Sequence, residues 1–397
     1  MNIWKISIQN IKSKPLYTLL SVFILSLSIS LLLAIQKLKS SLQYQTEKNL
    51  GAIDLVIGAK GSPLQLVLSS VLHLDNPTGN ILYEEAKRIA KNPLIKMAVP
   101  ISYGDNYKGF RILGTSEEFV NFYTAAIQEG KPVQKSMEVV LGHTVAEQLQ
   151  LTIGDTFLSS HGLIANDIDV HDEELIVVGI LSPTNKVIDR LILTNLESIW
   201  DVHNHEHHTH DDNDEEKEIT SLLVSFRSPS ALLTIPKIIN KNTNLQAALP
   251  KYELNKLYEY TGVGFKTISG IAYIILLISG MTIFISLFKM IKERAFDLAL
   301  LRTYGASNVQ LIKMVTYEGL IIVCFAFVIG FIFSKVGVYF LFNFMINSSN
   351  QYILQTLSLY EIAQIFGLVF AIIILSISLA IYPIIKMNIS TILSNEK

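Results

Sequence analysis

The sequence predicts an α-helical membrane protein with four transmembrane helices and one large extracytoplasmic α+β domain between the first and second spans. The chain of 397 residues has a mean hydropathy of +0.40, and only 17% of its residues are charged, whereas a soluble domain carries about 25%. Four apolar runs reach the roughly 20 residues that a helix needs to cross a bilayer. The long stretch between the first two runs contains both helix and strand patterns.

Charge divides the chain into two compartments. Residues 39–265 contain 19 Lys/Arg and 29 Asp/Glu, whereas the rest of the chain contains 13 and 5. Short segments rich in Lys and Arg stay in the cytoplasm. The Lys residues of 1–15 and 289–316, and the lack of Lys and Arg in 344–361, therefore predict that both termini are cytoplasmic.

The predicted organisation follows in chain order. We expect a cytoplasmic amphipathic helix (1–15), transmembrane helix 1 (16–38), the extracytoplasmic domain (39–265), transmembrane helix 2 (266–288), a cytoplasmic coupling helix (289–316), transmembrane helix 3 (317–343), an outer loop (344–361), transmembrane helix 4 (362–385) and a cytoplasmic tail (386–397). The first apolar run is too long for a signal-peptide core, and no small-residue cleavage site follows it, so we interpret it as a retained anchor.

The first residues have a helical pattern of their own. Trp4, Ile8 and Ile11 share one face of a helix, and Lys5 and Lys12 lie elsewhere. This pattern is typical of a helix that lies on the inner leaflet. An untethered N-terminal tail is the alternative.

The extracytoplasmic stretch mixes the two periodicities. Ile81 to Asn92 reads as an amphipathic helix, while Glu138–Leu141, Glu174–Leu181 and Leu222–Phe226 read as strands. Residues 36–49 and 249–260 continue into the first two spans as helical stalks. Gly262 and Gly264 mark either a hinge or a helix end.

One acidic insert is rich in histidine. Residues 201–218 contain eight acids and five histidines, namely His203, His205, His207, His208 and His210. Neutral imidazole binds zinc, copper and nickel, so the insert is a candidate metal site, and it is also expected to be a solvated, disordered spacer. Metalloprotease chemistry is disfavoured because Thr209 stands where the H-E-x-x-H motif needs its second histidine.

Several enzyme classes lack their motifs in this chain. There is neither a phosphate-binding G-x-x-x-x-G-K-[ST] loop nor a G-x-S-x-G elbow, and no catalytic residue is predicted. The single cysteine, Cys324, excludes an internal disulfide framework and a Cys-based metal centre. Glu318 and Glu361 lie at the edges of spans, so a proton path at mid-membrane is unsupported. No nucleic-acid partner is predicted.

Residues 292–307 form the most informative segment. They read as an amphipathic helix that ends at Gly305, a suitable residue for the left-handed position after a helix, and Ser307 is placed to cap the next helix. The face that contains Phe296 and Leu300 is a candidate docking element. A loop that only obeys the positive-inside rule is the alternative.

This segment resembles the E-R-x-x-x-L-x-x-L-R-x-x-G-A-S coupling element of the MacB/FtsX-type ABC transporter permeases, which include the lipoprotein-releasing permeases. The matching residues are Glu293, Arg294, Leu298, Leu301, Arg302, Gly305, Ala306 and Ser307. Leu141 to Asp155, Val177 to Leu181 with Asp189-Arg190, and Tyr382 to Asn388 are similar to further stretches of the family.

The resemblance implies a permease subunit in a bacterial inner membrane. Its expected partners are a cytoplasmic ABC ATPase dimer, a second permease (itself or a paralogue), and a periplasmic adaptor or substrate protein. The expected coupling residues are the eight matching residues together with Phe296 and Leu300. ATP is expected to be bound and hydrolysed by the partner, so the chain is not expected to be an enzyme or to hold an intrinsic cofactor.

The implied mechanism is mechanotransmission, in which closure of the ATPase moves the outer domain and no cargo crosses between the spans. The cargo could be a lipoprotein, an amphiphile, a peptide or a metal-linked molecule. A regulatory or signalling protein of the same architecture, which controls a wall hydrolase or senses a ligand, is the alternative. A metal-binding receptor without an ATPase is a third interpretation, which the coupling motif disfavours.

Overall fold

The structure, a computed structural model, describes residues 3–13, 15–160, 170–204, 217–345 and 356–385. They divide into two compact units. The membrane unit contains the described residues of 1–42, 261–350 and 354–397, and the large domain contains those of 43–260. Each unit is described by itself below.

Within the described residues there are twelve α-helices and one short 3-10 helix, Val187–Arg190. The α-helices are α1 (Ile3–Ser13), α2 (Pro15–Leu50), α3 (Pro63–Ser70), α4 (Tyr83–Ala90), α5 (Phe119–Phe122), α6 (His143–Leu149), α7 (Leu196–Asn204), α8 (Ala231–Asn242), α9 (Pro250–Glu293), α10 (Ala295–Thr303), α11 (Asn308–Met345) and α12 (Leu359–Ile385). Four of them, α2, α9, α11 and α12, are long and apolar enough to cross a membrane. The four predicted spans are therefore confirmed.

The strands of the described residues all belong to the large domain. They are β1 (Leu55–Ala59), β2 (Ile81–Leu82), β3 (Ile95–Tyr107), β4 (Phe110–Thr115), β5 (Ile127–Gly130), β6 (Glu138–Leu141), β7 (Thr156–Ser160), β8 (Val170–Leu181), β9 (Leu191–Thr194), β10 (Glu218–Ile219), β11 (Ser221–Phe226) and β12 (Leu245–Ala248). The predicted mixture of helices and strands between the first two spans is thus confirmed.

The main sheet of the large domain is mixed. Its order is β12-β1-β11-β3-β4-β9-β6-β8-β5, and β7 pairs with β3 and β8. The pairs β4–β9 and β6–β8 are parallel, and the other pairs are antiparallel. Parallel neighbours need a crossover connection, and α6 lies in the connection between β6 and β8.

Both faces of this sheet are covered by apolar cores. In β11, Leu222 and Val224 belong to one core, whereas Leu223 belongs to another. Successive side chains of a strand point to opposite faces, so burial of all six β11 residues requires cover on both sides. This is why the strand reads as an almost continuous apolar run.

The helix predicted over Ile81 to Asn92 is shorter in the structure. Ile81 and Leu82 form β2, which pairs with β10, and the helix α4 begins at Tyr83. Ile81 is buried in the core that contains Leu222 and Val224 of β11. Tertiary pairing thus overrides the local helical periodicity at the first two positions.

The spans of the membrane unit approach closely at small residues. A Cβ added to Gly330 of α11 would lie 2.7 Å from the Ser26 carbonyl oxygen of α2. The hydroxyl oxygens of Ser28 in α2 and Ser279 in α9 are 2.8 Å apart. Close packing at small residues and polar contacts between helices are typical of transmembrane bundles.

The start of α12 is fixed by a capping box. The Glu361 carboxylate accepts from the Ser358 backbone N–H at 2.9 Å, and the Glu361 N–H donates to the Ser358 hydroxyl at 3.2 Å. The same carboxylate also accepts from Gln36 and Ser40 of α2. Glu361 therefore links two helices of the membrane unit.

Helix α9 is continuous through Gly262 and Gly264. The interpretation of this glycine pair as a helix end is therefore wrong. A Cβ added to either glycine would meet no atom within 4 Å, so neither is required by close packing, and the hinge interpretation stays a prediction.

Candidate functional site

The turn between α10 and α11 is closed by two complementary caps. Gly305 has a φ of +98°, and the N–H groups of Gly305 and Ala306 donate to the carbonyls of Arg302 and Leu301, each at 3.0 Å. This is the Schellman pattern, which favours glycine at the left-handed position. The chain then continues directly into α11.

Ser307 and Gln310 begin α11 with a reciprocal pair of hydrogen bonds. The Gln310 N–H donates to the Ser307 hydroxyl at 3.3 Å, and the Ser307 N–H donates to the Gln310 side-chain oxygen at 2.9 Å. This is a capping box. With the Schellman motif, it fixes the angle at which α10 continues into α11.

The predicted coupling residues separate into two groups by burial. Leu298 is buried in the core of the membrane unit, and Leu301 packs against that core. Leu300, by contrast, is 39% exposed, and Phe296 is half-buried. The motif leucines Leu298 and Leu301 therefore attach α10 to the bundle, and only part of the predicted set is available to a partner.

Two exposed residues were missed by the sequence reasoning. Tyr304 is 82% exposed at the end of α10, and Val309 is 58% exposed in the first turn of α11. Phe296, Leu300 and Tyr304 are spaced by four, and residues at this spacing lie on one helical face. That spacing was the signal that could have identified Tyr304.

The charged residues of the motif differ in their contacts. The Arg294 guanidinium donates to the Ser13 hydroxyl at 2.5 Å, and Glu293 lies 3.9 Å from Lys289. The Arg302 side chain has no hydrogen bond or ion pair within the described residues. Arg302 is thus the charged group of the motif that remains available to another molecule.

The N-terminal helix α1 packs against α11. The Ser7 hydroxyl donates to the Met314 carbonyl at 3.0 Å, and the Asn10 amide donates to the Glu318 carboxylate at 2.6 Å. Ser7 is fully buried, whereas Trp4 is 53% exposed and its ring lies edge-on to the ring of Tyr317 in α11. The placement of the Trp4, Ile8 and Ile11 face on the inner leaflet stays a prediction. The helix is therefore held to the bundle by hydrogen bonds from Ser7 and Asn10 and by packing of Ile6 against the core of the membrane unit.

The histidine insert lies almost entirely outside the described residues. His203 falls in the last turn of α7, and the remaining four, His205, His207, His208 and His210, are outside the described ranges. Among the residues that the structure describes, no three His, Cys, Asp or Glu side chains are grouped to hold a metal ion. Metal binding by the insert stays a prediction.

The motif residues of the large domain have structural roles. A Cβ added to Gly142 would lie 2.4 Å from the Asp189 carbonyl oxygen, so only glycine fits between β6 and the 3-10 helix. The buried Asp189 carboxylate accepts from the Thr184 and Asn185 N–H groups. Gly154 has a φ of +96°, and Asp155 accepts from the Thr152 N–H at 2.7 Å. These residues fix turns and crossings.

A polar cluster is buried in the large domain around His73. The Tyr103 hydroxyl donates to the Ser69 carbonyl, and the same hydroxyl oxygen lies 2.6 Å from His73 Nδ1. His73 Nε2 is buried without a hydrogen-bond partner. Burial, reinforced by the nearby Arg111 charge, lowers the pKa of His73 to about 3, so this histidine is neutral at physiological pH.

The fold and the two-faced α10–α11 segment define a class: a multi-pass membrane protein with a large α/β domain between its first and second spans. Residues 18–235 match the MacB-like periplasmic core domain, and residues 269–389 match the FtsX-like permease C-terminal domain. The chain belongs to the MacB/FtsX-type permease family and is thus a permease component of an ABC transporter. Permeases of this family work with ABC ATPase partners.

Three solved structures resemble parts of the chain. The periplasmic region of MacB from Actinobacillus actinomycetemcomitans is 11% identical, with a TM-score of 0.35, and the match covers 53% of this chain and 94% of that one. The extracellular domain of the transporter YknZ from Gram-positive bacteria is 12% identical, with a TM-score of 0.31 and coverage of 49% and 98%. A domain of a putative permease from Porphyromonas gingivalis is 12% identical, with a TM-score of 0.27 and coverage of 50% and 88%. Comparison with curated protein sequences gave no significant match.

Proposed function

We propose that this permease transmits the ATP-driven motion of a separate ATPase to its large domain, which acts on cargo outside the membrane. In this proposal both termini and the α10–α11 segment are cytoplasmic, in a bacterial inner membrane, and the permease works as a dimer with itself or with a paralogue. The cargo class is a lipoprotein, an amphiphile, a peptide or a metal-linked molecule.

The observation that carries the proposal is the division of α10 into two faces. Leu298 and Ala299 are buried in the membrane unit, whereas Leu300 and Tyr304 are exposed. Tyrosine and arginine are enriched among the residues that carry most of the binding energy of an interface, and this face presents Tyr304 next to Arg302, which has no ion pair within the described residues. A partner that binds this outer face would push on a helix whose inner face is packed against the spans.

The caps and the α1 contacts support transmission through this segment. The Schellman motif and the Ser307–Gln310 box join α10 to α11 without a flexible linker. Arg294 and Glu318 add hydrogen bonds to α1 at Ser13 and Asn10. Movement of α10 is therefore expected to move α11 and α1 with it.

The length of two spans supports the stalk role. Helices α2 and α9 have 36 and 44 residues. At 1.5 Å per residue these lengths correspond to about 54 and 66 Å, well beyond the roughly 30 Å of a hydrocarbon core. The excess length is what a rod that carries motion out of the bilayer would need.

The test is ATPase capture by the full chain. A tagged chain is expressed in its own host and purified in detergent, and the ATP hydrolysis that co-purifies is measured. Leu300→Asp and Tyr304→Asp each place a carboxylate in the outer face. Loss of an interface anchor costs about 2 kcal/mol or more, so we expect the affinity for the ATPase to fall at least about 30-fold.

Leu233→Asp is the matched control, because Leu233 is 80% exposed on α8 of the large domain. It should leave the captured ATPase activity unchanged. Equal capture by wild type, Leu300→Asp and Tyr304→Asp would remove the coupling assignment. A complex that hydrolyses ATP but drives no export or extraction would favour the regulatory or signalling alternative.

A further inference from the structure

The large domain contains an open cavity with an apolar floor. Its volume is about 350 Å³, within the range of about 300–1,000 Å³ that is typical of small-molecule sites. Four neighbouring strands of the sheet, β9, β6, β8 and β5, contribute floor residues. These are Leu193, Val140, Leu181 and Ile127.

The floor is preformed by strand register. Val140 and Leu193 are direct partners across β6 and β9, and Ile127 and Leu181 are direct partners across β5 and β8. The threonines at this floor already have partners, since Thr115 donates to the Pro100 carbonyl and Thr194 to the Glu138 carbonyl. The floor therefore offers apolar contact and no free hydroxyl.

One wall is a short loop, 131–135, which Glu138 holds in place. The Glu138 carboxylate accepts from the Gln134 N–H at 2.8 Å, the Lys135 N–H at 3.1 Å and the Lys131 ammonium at 3.0 Å. These bonds, led by the one from Gln134, lower the pKa of Glu138 to about 2. The loop places Val133 on the cavity wall.

The opposite wall is the beginning of α7. Asn195 caps this helix, because its side-chain oxygen accepts from the Ser198 N–H at 2.9 Å. Within the described residues, the Asn195 amide nitrogen has no hydrogen-bond acceptor and can donate to a ligand. Both walls are thus held by internal hydrogen bonds.

The charge of the lining has one sign. Glu117 and Glu197 line the cavity, both are exposed, and neither has a hydrogen bond or an ion pair within the described part of the chain. The lining contains no Lys, Arg or His. Of the neighbouring cations, Lys131 is paired with Glu138, and Lys87, which lies over the ring of the lining Tyr83, is paired with Glu84. Lys135, also in the wall loop, is exposed and does not line the cavity.

We infer that this cavity binds a cationic amphiphile, whose amine lies at Glu117 and Glu197. Its apolar part lies against the partly exposed side chains of Ile127 and Val133, because the floor residues Val140, Leu181 and Leu193 are themselves at most 5% exposed. The apolar floor selects a hydrocarbon or aromatic body, and the two free carboxylates select a positive head over a neutral or negative one. Only the ligand's role as cargo rests on the proposed function. Binding itself needs no ATPase and is tested without one.

The test measures binding of octylamine, octanol and octanoate to the full chain in nanodiscs, with empty nanodiscs subtracted. Octylamine should bind saturably and octanoate should not. In the double variant Glu117→Gln, Glu197→Gln, octylamine affinity should fall about 2- to 30-fold, as expected for two exposed ion pairs, to the level of octanol. Octanol affinity should be equal in both proteins.

Two further variants make the result specific. Glu147→Gln changes an exposed carboxylate of α6, which does not line the cavity, and should leave octylamine affinity unchanged. Val133→Trp should narrow the cavity and weaken octylamine and octanol alike. The inference is overturned if wild type shows no saturable octylamine binding, if octanoate binds equally well, or if either the double variant or Val133→Trp leaves octylamine affinity unchanged. Unchanged Trp200 fluorescence would verify the fold of the glutamine variants.

Discussion

The buried His73 ring predicts that the large domain loses stability in mild acid. The pKa of His73 is about 3 in the folded chain, because burial disfavours the charged ring, and its ordinary value is 6.5. Above pH 6.5 the ring is neutral in both states. Between these two values only the unfolded chain takes up the proton, so the free energy of unfolding falls as the pH falls.

The loss of unfolding free energy at pH 5 is determined by protonation of His73 in the unfolded chain alone. With an unfolded pKa of 6.5, the unfolded state gains RT ln(1 + 10^1.5), about 2 kcal/mol or a 30-fold shift toward unfolding. The Glu138 carboxylate, whose pKa is lowered to about 2 from an ordinary 4.5, loses its contribution mainly below pH 4.5. The window from pH 8 to pH 5 therefore separates His73 from this carboxylate.

The assay is urea unfolding of the full chain followed by Trp200 fluorescence in a Trp4→Phe background. Trp200 lies in α7 and donates to the Glu218 carbonyl at 2.7 Å, so it reports on the large domain. His73→Asn is the test variant, because His73 has a φ of +54° and asparagine tolerates this left-handed region. Its unfolding free energy should be lower at pH 8 and should change about 2 kcal/mol less between pH 8 and 5 than that of wild type.

His143→Asn is the matched control, since the His143 ring is partly exposed at the start of α6. The change in the unfolding free energy of His143→Asn between pH 8 and pH 5 should equal that of wild type. If His73→Asn and wild type lose the same free energy over this window, the neutral buried state of His73 is refuted.

Three other predictions concern the membrane unit and the insert. In a Cys324→Ser background, Ser349→Cys should react with an impermeant thiol reagent added to intact cells, and Ser307→Cys should not. Labelling of Ser307→Cys and not of Ser349→Cys would show that the predicted membrane orientation is inverted. The double variant Gly262→Ala, Gly264→Ala introduces no steric contact and stabilises the helix by about 1 kcal/mol per site. If the glycine pair is a hinge, the variant should reduce transport-coupled ATP hydrolysis in a reconstituted complex. Unchanged hydrolysis would exclude a hinge at these positions. Replacing the five histidines of the insert by serine should abolish micromolar zinc binding. In wild type, zinc affinity should weaken as the pH falls through about 6.5, because protonated imidazole cannot bind the metal. Equal zinc affinity of the two proteins in calorimetry would identify the insert as a spacer.

The sequence was sufficient for the number of spans because that property is local. An apolar run of sufficient length has no alternative to a spanning helix in lipid, and four such helices are found. The capping roles of Gly305 and Ser307 could also be predicted, because helix caps depend on residues within one turn. Pairing between strands that are distant in the sequence could not be predicted locally. Ile81 and Leu82 fit a helix pattern but form β2, which pairs with β10.

The lining of the cavity could not be predicted for the same reason. Val140, Leu181 and Leu193 each read as ordinary strand interior. Only the order β9-β6-β8-β5, which differs from the order along the chain, brings them to one floor. Glu117 and Glu197 are 80 positions apart, and no periodicity connects them. The sequence motif likewise did not show that Leu298 and Leu301 point into the bundle while Tyr304 points out.

The membrane unit assigns the motif residues to two different tasks. Arg294 reaches Ser13 of α1, and Glu318, one helix further along the chain, reaches Asn10 of the same helix. The N-terminal helix therefore connects the beginning of α10 to the body of α11. Because these contacts occupy Arg294, a partner that binds the outer face has Arg302, Leu300 and Tyr304 left to contact. Force on that face would then act on a helix held by its core leucines, its caps and α1, and not on a free loop.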